Sequence, residues 1–432
     1  MAKIAVIGAG SLVFTRKLVG DLLHQEATAD AEVRLMDVDP QRLREVGEVV
    51  QAIVEASGKP AKVLLTDDLA QAVRGAGYVI NTIAVGGRRA TQLDFDVPEH
   101  YGVRQTIADT HGIGGISRAA RTIPRVLEVA RTVERESPEA WLLNETNPMA
   151  MVVMALGRAT GLRHVGICHD AENTARELAE YLGLADVREL SWQAAGINHM
   201  TWFLRIASHG RDLYPLLRER ALDSDVRQRD PVRFELMARF GYFVSESSTH
   251  NAEYYPWFLS REGVSEGLGV KGREYLAILD RQAERFADNL RAVHANGDGA
   301  RVPEPQSVEY APRIVASLES NAPFSFMGNV TNRGYLVENL PDNCCVEVPC
   351  TARGGGIVPG HAGRLPEPCA ALNRMAVNVQ LLTVEGVLTG NRDLLYQAAY
   401  VDPLLSAQLT LDQIRSLVDE LLDAQELAGA YV

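Results

Sequence analysis

Short apolar runs alternate with amphipathic segments along roughly the first 170 residues of the chain. The apolar runs have the length of buried strands and end in glycine or polar residues; they are residues 3–11, 32–38, 62–66, 77–85, 141–148 and 164–170. The segments between them, such as residues 41–57 and 122–137, have the apolar spacing of helices. This alternation predicts a parallel sheet with polar residues at the carboxyl ends of its strands, where such sheets bind ligands.

The first apolar run ends in a glycine turn, Gly-Ala-Gly at residues 8–10, and a helix-compatible segment follows. The first glycine permits a tight turn, the second lets the backbone approach a pyrophosphate, and a helix N-terminus binds that anion. Asp37 ends the second run, where a dinucleotide-binding unit places the carboxylate that binds the adenosine ribose. Val13 stands where the fingerprint has its third glycine, so an ordinary strand-turn-helix corner is the alternative. With residues at the end of the fourth run, the candidate cofactor contacts are Gly8, Gly10, Ser11, Asp37, Val85 and Gly86.

The pattern changes near residue 190. Longer strands of a mixed or antiparallel sheet are predicted at residues 191–198 and 201–206, helices within residues 211–300, strands at residues 311–332 and 345–349, and closing helices at residues 365–386, 392–399 and 411–425. We therefore expect an α/β fold of the lactate/malate dehydrogenase type. Its Rossmann-type NAD-binding domain spans residues 1–190, and a mixed α+β domain of residues 191–432 serves substrate, metal and oligomerisation, with the substrate cleft between them.

Composition and charge narrow the possible partners. The formal net charge is -13, which disfavours nucleic acid and anionic membrane surfaces, because both require basic patches. The first strand begins directly after Met-Ala-Lys, so we expect no signal peptide, and no apolar run is long enough for a membrane span. Five cysteines in a chain of 432 residues favour reduced thiols in the cytoplasm over a disulfide framework.

Four polar clusters follow predicted strands or lie in loops: residues 144–148, 168–170, 196–200 and 246–257. The first is also typical of an Asn-capped turn, and an isolated Cys or His after a strand is more often part of the core. A thiolate and an imidazole are nevertheless good metal ligands if Cys168 and His199 meet in space. The fourth cluster, rich in polar and aromatic side chains, suits a sugar-sized ligand, a lid or a subunit interface. A glycine-rich loop is predicted at residues 109–118, where it could close over a cofactor or simply make a turn. The residues alone therefore indicate an NAD-type enzyme with a possible metal site.

In this order the clusters resemble glycoside hydrolase family 4, the NAD- and metal-dependent glycosidases, nearly from end to end. Within that family the chain is most similar to the bacterial α-galactosidases. The resemblance is carried by residues 6–11, 94–98, 101–102, 105–110, 112–116, 121–124, 147–150, 195–200, 241–244, 246–248, 339–341, 344–348 and 391–393.

The resemblance implies roles for individual residues. Cys168 and His199 match the two protein ligands of a divalent metal, usually Mn²⁺, and Asn147 matches a residue that contacts substrate beside it. Tyr254 matches the base at sugar C2. His169 stands where the phospho-α-glucosidase branch has an Asp that is thought to be the general acid, which makes it the candidate acid here.

The chain departs from the family at two places that track substrate choice. Asp170 follows Cys168 and His169 where the related α-galactosidases have Ser, and Thr249 and Asn251 flank His250 where they have an acid and an aromatic residue. Asp170 and His250 are therefore predicted to contact the substrate. A carboxylate at position 170 can bind a sugar hydroxyl but repels a phosphate or a uronate, which favours a neutral hexoside.

The implied activity is hydrolysis of α-D-galactosides by oxidation, elimination, addition and reduction, with NAD and Mn²⁺ as cofactors. α-Glucosidase and α-glucuronidase or α-galacturonidase activities are alternatives within the family. A simple NAD-dependent dehydrogenase is the alternative from another class, and it would accumulate NADH. The expected partner is a small-molecule glycoside, and the expected assembly is a homodimer or homotetramer.

Overall fold

The structure is a computed structural model that describes residues 1–261, 263–296 and 309–431. Its first half alternates strands with helices. The strands are β1 (Lys3–Ile7), β2 (Glu32–Met36), β3 (Lys62–Thr66), β4 (Tyr78–Asn81), β5 (Trp141–Asn144) and β6 (Arg163–Ile167). The helices are α1 (Leu12–His24), α2 (Pro40–Ser57), α3 (Leu69–Val73), α4 (Gly87–His100), α5 (Gly112–Glu136), α6 (Met149–Ala159) and α7 (Asp170–Leu182).

The six strands are all parallel and lie in the order β3-β2-β1-β4-β5-β6. This is the Rossmann order, in which the direction of winding reverses between β1 and β4. Dinucleotides bind in the crevice at the carboxyl ends of these two strands. The loops that follow β5 and β6, with Asn147 and Cys168, leave the same edge of the sheet because parallel strands end on one side.

The second half adds antiparallel strands and most of the remaining helices. The strands are β7 (Ser191–Ile197), β8 (Met200–Ser208), β9 (Arg211–Asp212), β10 (Phe243–Val244), β11 (Phe324–Thr331), β12 (Cys345–Arg353) and β13 (Gly356–Pro359). The helices are α8 (Tyr214–Arg220), α9 (Ser224–Arg229), α10 (Pro231–Phe240), α11 (Ser248–Tyr254), α12 (Val264–Gly267), α13 (Glu274–Asn296), α14 (Tyr310–Ser320), α15 (Glu367–Thr389), α16 (Arg392–Tyr400), α17 (Pro403–Ser406) and α18 (Leu411–Ala424). Short 3₁₀ turns lie at Glu26–Thr28, Val187–Glu189 and Ala428–Ala430.

The antiparallel strands continue the parallel sheet across β6. β11 pairs with β6, and β12, β7, β8 and β10 follow in that order, so one mixed sheet runs through both halves of the chain. A single buried apolar cluster likewise includes residues from β1, β12 and α15. The predicted α/β fold with a Rossmann-type parallel sheet and a mixed second part is confirmed. Among the described helices, none is both long enough and apolar enough to cross a lipid bilayer.

Two predicted elements were wrong. Residues 310–320 form α14, not the start of a strand, and its buried face includes Ile314 and Val315, whose β-branched side chains favoured the strand prediction. The glycine-rich residues 112–118 begin α5 and do not form a loop. Their glycines serve close packing: a Cβ at Gly114 would lie 2.6 Å from the carbonyl oxygen of Ala108. The helical prediction for residues 211–300 lies partly outside the described residues.

Candidate active site

A thiol, a carboxylate and an imidazole converge beyond the carboxyl end of β6. Cys168 follows this strand directly, Asp170 is the first residue of α7, and His199 lies in the tight turn between β7 and β8. The Cys168 Sγ lies 3.4 Å from the His199 Nε2. One carboxylate oxygen of Asp170, that sulfur and a ring nitrogen of His199 are all within 4.8 Å of one another. The fold therefore brings together the two predicted metal ligands and one predicted substrate contact.

The other nitrogen of His199 faces the candidate base. The His199 Nδ1 lies 3.2 Å from the Tyr254 hydroxyl and 3.0 Å from the Thr110 hydroxyl. Tyr254 ends α11, is buried, and packs edge-on against the ring of His111. Burial raises the pKa of Tyr254 well above its usual range, and the charges of Glu253 and Asp109 raise it further. Bonds or charges that favour the phenolate are thus required before this phenol can act as a base.

The predicted substrate contact Asn147 lies in the same site. Its side-chain amide donates a hydrogen bond to Asp109 at 3.0 Å, and the Thr110 hydroxyl donates to the other oxygen of that carboxylate at 2.7 Å. Burial raises the pKa of Asp109, but the positive charges of Arg118 and His250 outweigh this and keep it below its usual value. Asp109 is therefore an ionised group beside the candidate base.

His250 forms an ion pair with Glu246, with the Nδ1 2.9 Å from a carboxylate oxygen. Burial lowers the pKa of His250, but the charge of Glu246 outweighs it and raises the pKa to about 9. The ring also packs edge-on against His199, with centroids 5.0 Å apart. The predicted substrate contact is accordingly a cation at neutral pH, turned towards the cluster.

The candidate acid His169 lies beside the cluster at the N-cap of α7. Its Nδ1 is 3.3 Å from Glu309, and 42% of its side-chain surface is exposed. Burial lowers its pKa, while the hydrogen bond and the charge of Glu309 raise it by more. The ring thus combines contact with solvent and a carboxylate partner, as a proton donor requires.

Sequence reasoning missed Glu253, whose buried carboxylate joins two segments of the site. It accepts the backbone N–H groups of Thr106 at 2.8 Å, Ile107 at 3.0 Å and Ala108 at 3.0 Å. These bonds fix the segment that precedes Asp109 beside the helix that ends in Tyr254. The family motif at residues 105–110 indicated that this segment belongs to the site, but the sequence does not show which acid binds its backbone.

The donor set fits a divalent cation of the Mn²⁺ type. Thiolate and imidazole bind most transition metals, and a carboxylate is a donor that Mn²⁺ prefers. Burial raises the pKa of the Cys168 thiol well above its usual range, and the charges of Asp170 and Glu347 raise it further. The surplus of negative groups around this thiol is the environment that a cation would neutralise.

The turn after β1 fits a dinucleotide. Gly8 has φ +87°, and a Cβ there would lie 2.8 Å from the backbone nitrogen of Ile83, so only glycine fits between β1 and β4. The backbone N–H of Gly10 donates to Asp37 at 2.7 Å, which fixes this carboxylate at the end of β2. Ser11 is the N-cap of α1, and its side chain makes no capping bond. Its hydroxyl and the first-turn N–H groups can therefore bind a phosphate.

The predicted contacts after β4 line the same crevice. The carbonyl oxygen of Val85 accepts a hydrogen bond from the Arg121 Nε at 3.2 Å, and Gly86 is the N-cap of α4 with φ +76°. Arg121 also forms a buried ion pair with Asp94. The loop that would underlie the nicotinamide is thus fixed by a buried ion pair behind it.

Comparison with known proteins adds to this geometry. A model of the family 4 glycosyl hydrolases matches residues 3–184, and a model of the family 4 glycosyl hydrolase C-terminal domain matches residues 194–405. An alpha-galactosidase of Bacillus subtilis (strain 168) is 42% identical over 98% of this chain and 98% of its own length. An alpha-galactosidase of Rhizobium meliloti (strain 1021) is 34% identical over 98% of this chain and 88% of its own length.

A solved structure has the same fold. The 6-phospho-beta glucosidase from Thermotoga maritima, determined with manganese, NAD+ and glucose-6-phosphate, superposes with a TM-score of 0.81. The superposition covers 98% of both chains, and the sequences are 24% identical. This likeness supports the fold assignment only.

Proposed function

The chain belongs to the family 4 glycosyl hydrolases, and from this premise we propose that it hydrolyses α-D-galactosides with NAD and Mn²⁺ as cofactors. The observation that carries the proposal is the imidazole of His199, which has the Cys168 sulfur 3.4 Å from one nitrogen and the Tyr254 hydroxyl 3.2 Å from the other. The ring of His199 therefore contacts both the other candidate metal ligand, Cys168, and the candidate base, Tyr254. The two alpha-galactosidase relatives, 42% and 34% identical over nearly the whole chain, support the choice of sugar.

We further propose that residues 1–190 bind NAD and residues 191–432 complete the substrate and metal site. The matched ranges, residues 3–184 and 194–405, support this division. Gly8, Gly10, Ser11 and Asp37 would hold the adenosine and pyrophosphate, and the loop at Val85 and Gly86 the nicotinamide. Cys168 and His199 would hold Mn²⁺. When bound, NAD⁺ supplies a hydride acceptor at sugar C3, and Mn²⁺ supplies a Lewis acid that stabilises negative charge on the sugar oxygens.

Two residues of the chain are proposed to carry out the two proton transfers, Tyr254 as base and His169 as acid. With Nε2 of His199 turned to the metal donors, Nδ1 carries the proton of a neutral ring and donates to the Tyr254 oxygen, a bond that favours the phenolate. Tyr254 removes the proton from sugar C2. His169, oriented by Glu309, gives a proton to the departing glycosidic oxygen. Most glycosidases use two carboxyl groups for catalysis, whereas in this site the proton transfers are assigned to Tyr254 and His169.

Asn147 and His250 are proposed to bind sugar hydroxyls at the rim of the cluster. The ionised carboxylate of Asp109, which accepts a hydrogen bond from Asn147, disfavours a phosphate or a uronate, since like charges in a buried site repel. A neutral galactoside is therefore the preferred substrate over an α-galacturonide. We propose a cytoplasmic homodimer or homotetramer, and the five cysteines, none of which forms a disulfide, agree with a reducing compartment.

A panel of nitrophenyl glycosides tests the proposal in the presence of NAD⁺, Mn²⁺ and dithiothreitol. The α-galactoside should release nitrophenol without a build-up of NADH, and the product should carry solvent deuterium at C2. Preference for the α-glucoside or α-galacturonide would overturn the choice of sugar. Accumulation of NADH without release of nitrophenol would instead indicate a dehydrogenase.

A further inference from the structure

One oxygen of the Asp170 carboxylate has no hydrogen-bond partner among the described residues. The side chain is only 3% exposed. Its Oδ2 accepts a hydrogen bond from the Ser245 hydroxyl at 2.8 Å, whereas its Oδ1 has no partner. A buried carboxylate oxygen without a partner costs free energy, because it has lost its hydration and gained nothing in return. Binding of a cation or a hydrogen-bond donor to Oδ1 would therefore stabilise this carboxylate.

The position of Asp170 at the start of α7 explains only part of this arrangement. A helix N-terminus stabilises a negative charge, and Glu172 shares the first turn for the same reason. The helix supplies no hydrogen bond to Oδ1, however. A carboxylate oxygen of Asp170 is instead within 4.8 Å of the Cys168 sulfur and a ring nitrogen of His199, where three donors of different types meet.

The surrounding charge also favours a cation. Glu347 is fully buried and accepts hydrogen bonds from the Thr201 hydroxyl at 2.6 Å and the Asn329 amide at 2.9 Å. The carboxyl groups of Glu347 and Asp170 are therefore buried close enough to interact electrostatically. A divalent cation bound at Asp170 would offset the cost of burying these two carboxyl groups together.

We propose that Asp170 is a third protein ligand of the divalent cation, beside Cys168 and His199. This inference rests on the proposed function, and it moves Asp170 from the predicted sugar contact to the metal. A carboxylate ligand shifts the preference of the site towards hard cations, because thiolate favours ions such as Zn²⁺ whereas carboxylate favours Mn²⁺. Asp170 would thus supply part of the selectivity that a Cys/His pair lacks.

Equilibrium binding of Mn²⁺ and Zn²⁺ to the reduced, EDTA-treated full-length protein tests the inference without relying on activity. Asp170→Asn keeps the shape of the side chain and removes its charge, and Glu172→Gln removes a charge from the same helical turn outside the cluster. Asp170→Asn should weaken Mn²⁺ binding by at least about 10-fold, with a smaller effect on Zn²⁺, and Glu172→Gln should bind as the wild type does. Asp170→Ser provides a second variant, and circular dichroism shows whether each is folded.

The outcomes separate this inference from the proposed function. Wild-type Mn²⁺ affinity in both Asp170 variants, together with loss of binding in Cys168→Ser, would overturn the third ligand and leave the metal site in place. An equal loss of Mn²⁺ and Zn²⁺ affinity in both variants would show that the carboxylate does not discriminate between the two ions, and this would also overturn the inference. Mn²⁺ binding that survives Cys168→Ser would remove the basis of both proposals.

Discussion

The carboxylate of Glu253 accepts the backbone N–H of Ala108 at 3.0 Å, and Ala108 is held in the left-handed region with φ +57°. A residue with a Cβ adopts this conformation at a cost of about 1–2 kcal/mol. The turn at Ala108 directs Asp109 towards Asn147 and Thr110 towards His199. Glu253, which lies next to the candidate base in sequence, thereby holds the opposite wall of the site in a strained conformation.

Replacing Glu253 with Gln should release this turn. The amide group would face backbone N–H groups that need an acceptor, so the free energy of unfolding should fall by about 1–3 kcal/mol. Mn²⁺ affinity should fall as well, because Thr110 no longer supports His199. Adding Ala108→Gly should restore part of the affinity, since glycine adopts the left-handed conformation without strain. Urea unfolding without cofactors and Mn²⁺ titration measure the two effects.

Glu274→Gln is the matched control for this pair of variants. Glu274 is a nearby acid that accepts one hydrogen bond, from the Thr249 hydroxyl at 3.1 Å. Its replacement should change the free energy of unfolding by only about 0.5 kcal/mol. If Ala108→Gly restored no affinity to Glu253→Gln, the link between this carboxylate and the strained turn would be wrong.

Tyr254→Phe should remove the base and leave the fold intact. The phenyl ring keeps the edge-on contact with His111, whose centroid is 4.4 Å away. Loss of general base catalysis typically costs about 10²–10⁴-fold in kcat, and incorporation of solvent deuterium at sugar C2 should disappear. Titration with NAD⁺ should give the wild-type affinity. Retention of deuterium incorporation would assign the base to another residue.

Removal of the metal should abolish glycosidase activity reversibly. EDTA treatment should inactivate the protein, and Mn²⁺ should restore activity only while dithiothreitol keeps Cys168 reduced, because a thiolate ligand is oxidisable. Peroxide should therefore inactivate the metal-free protein faster than the Mn²⁺-loaded protein. Cys369→Ser is the control, since this thiol is buried in α15, outside the cluster, and its loss should leave the peroxide response unchanged. Full activity after EDTA and peroxide would contradict a catalytic metal.

The sequence predicted those parts of the site that depend on short-range patterns of strands and turns. Gly8 and Asp37 follow from strand and turn patterns, and the resemblance placed Cys168 and His199 together although they are separated by 31 residues. The contact of Glu253 with Thr106 spans 147 residues and has no periodic signature, since any buried acid can bind backbone N–H groups. The glycines at the start of α5 were misread for a related reason. A close approach between backbones and a flexible loop both require glycine, and only the fold distinguishes them.

Asp402 offers a test of how burial near the site affects stability. It is 4% exposed and caps α17, accepting the N–H groups of Leu404 at 3.1 Å and Leu405 at 2.9 Å. Burial raises its pKa to about 6, although these two hydrogen bonds lower it, and the charge of Glu253 adds to the rise. The folded state therefore holds this proton more tightly than the unfolded chain, in which the pKa is about 4.

The sign of the pH dependence follows from this order of pKa values. Below about pH 4 the group is protonated in both states and costs nothing, whereas above about pH 6 ionisation destabilises the fold by about 3 kcal/mol. Asp402→Asn keeps the oxygen that caps α17 and cannot ionise. Compared with the wild type, the variant should therefore gain about 2–3 kcal/mol in free energy of unfolding between roughly pH 4 and pH 8. Urea unfolding of both proteins across this range measures the difference, with the exposed cap variant Asp39→Asn as control. A constant difference between wild type and Asp402→Asn would mean that Asp402 is already ionised at about pH 4, as an exposed carboxylate would be.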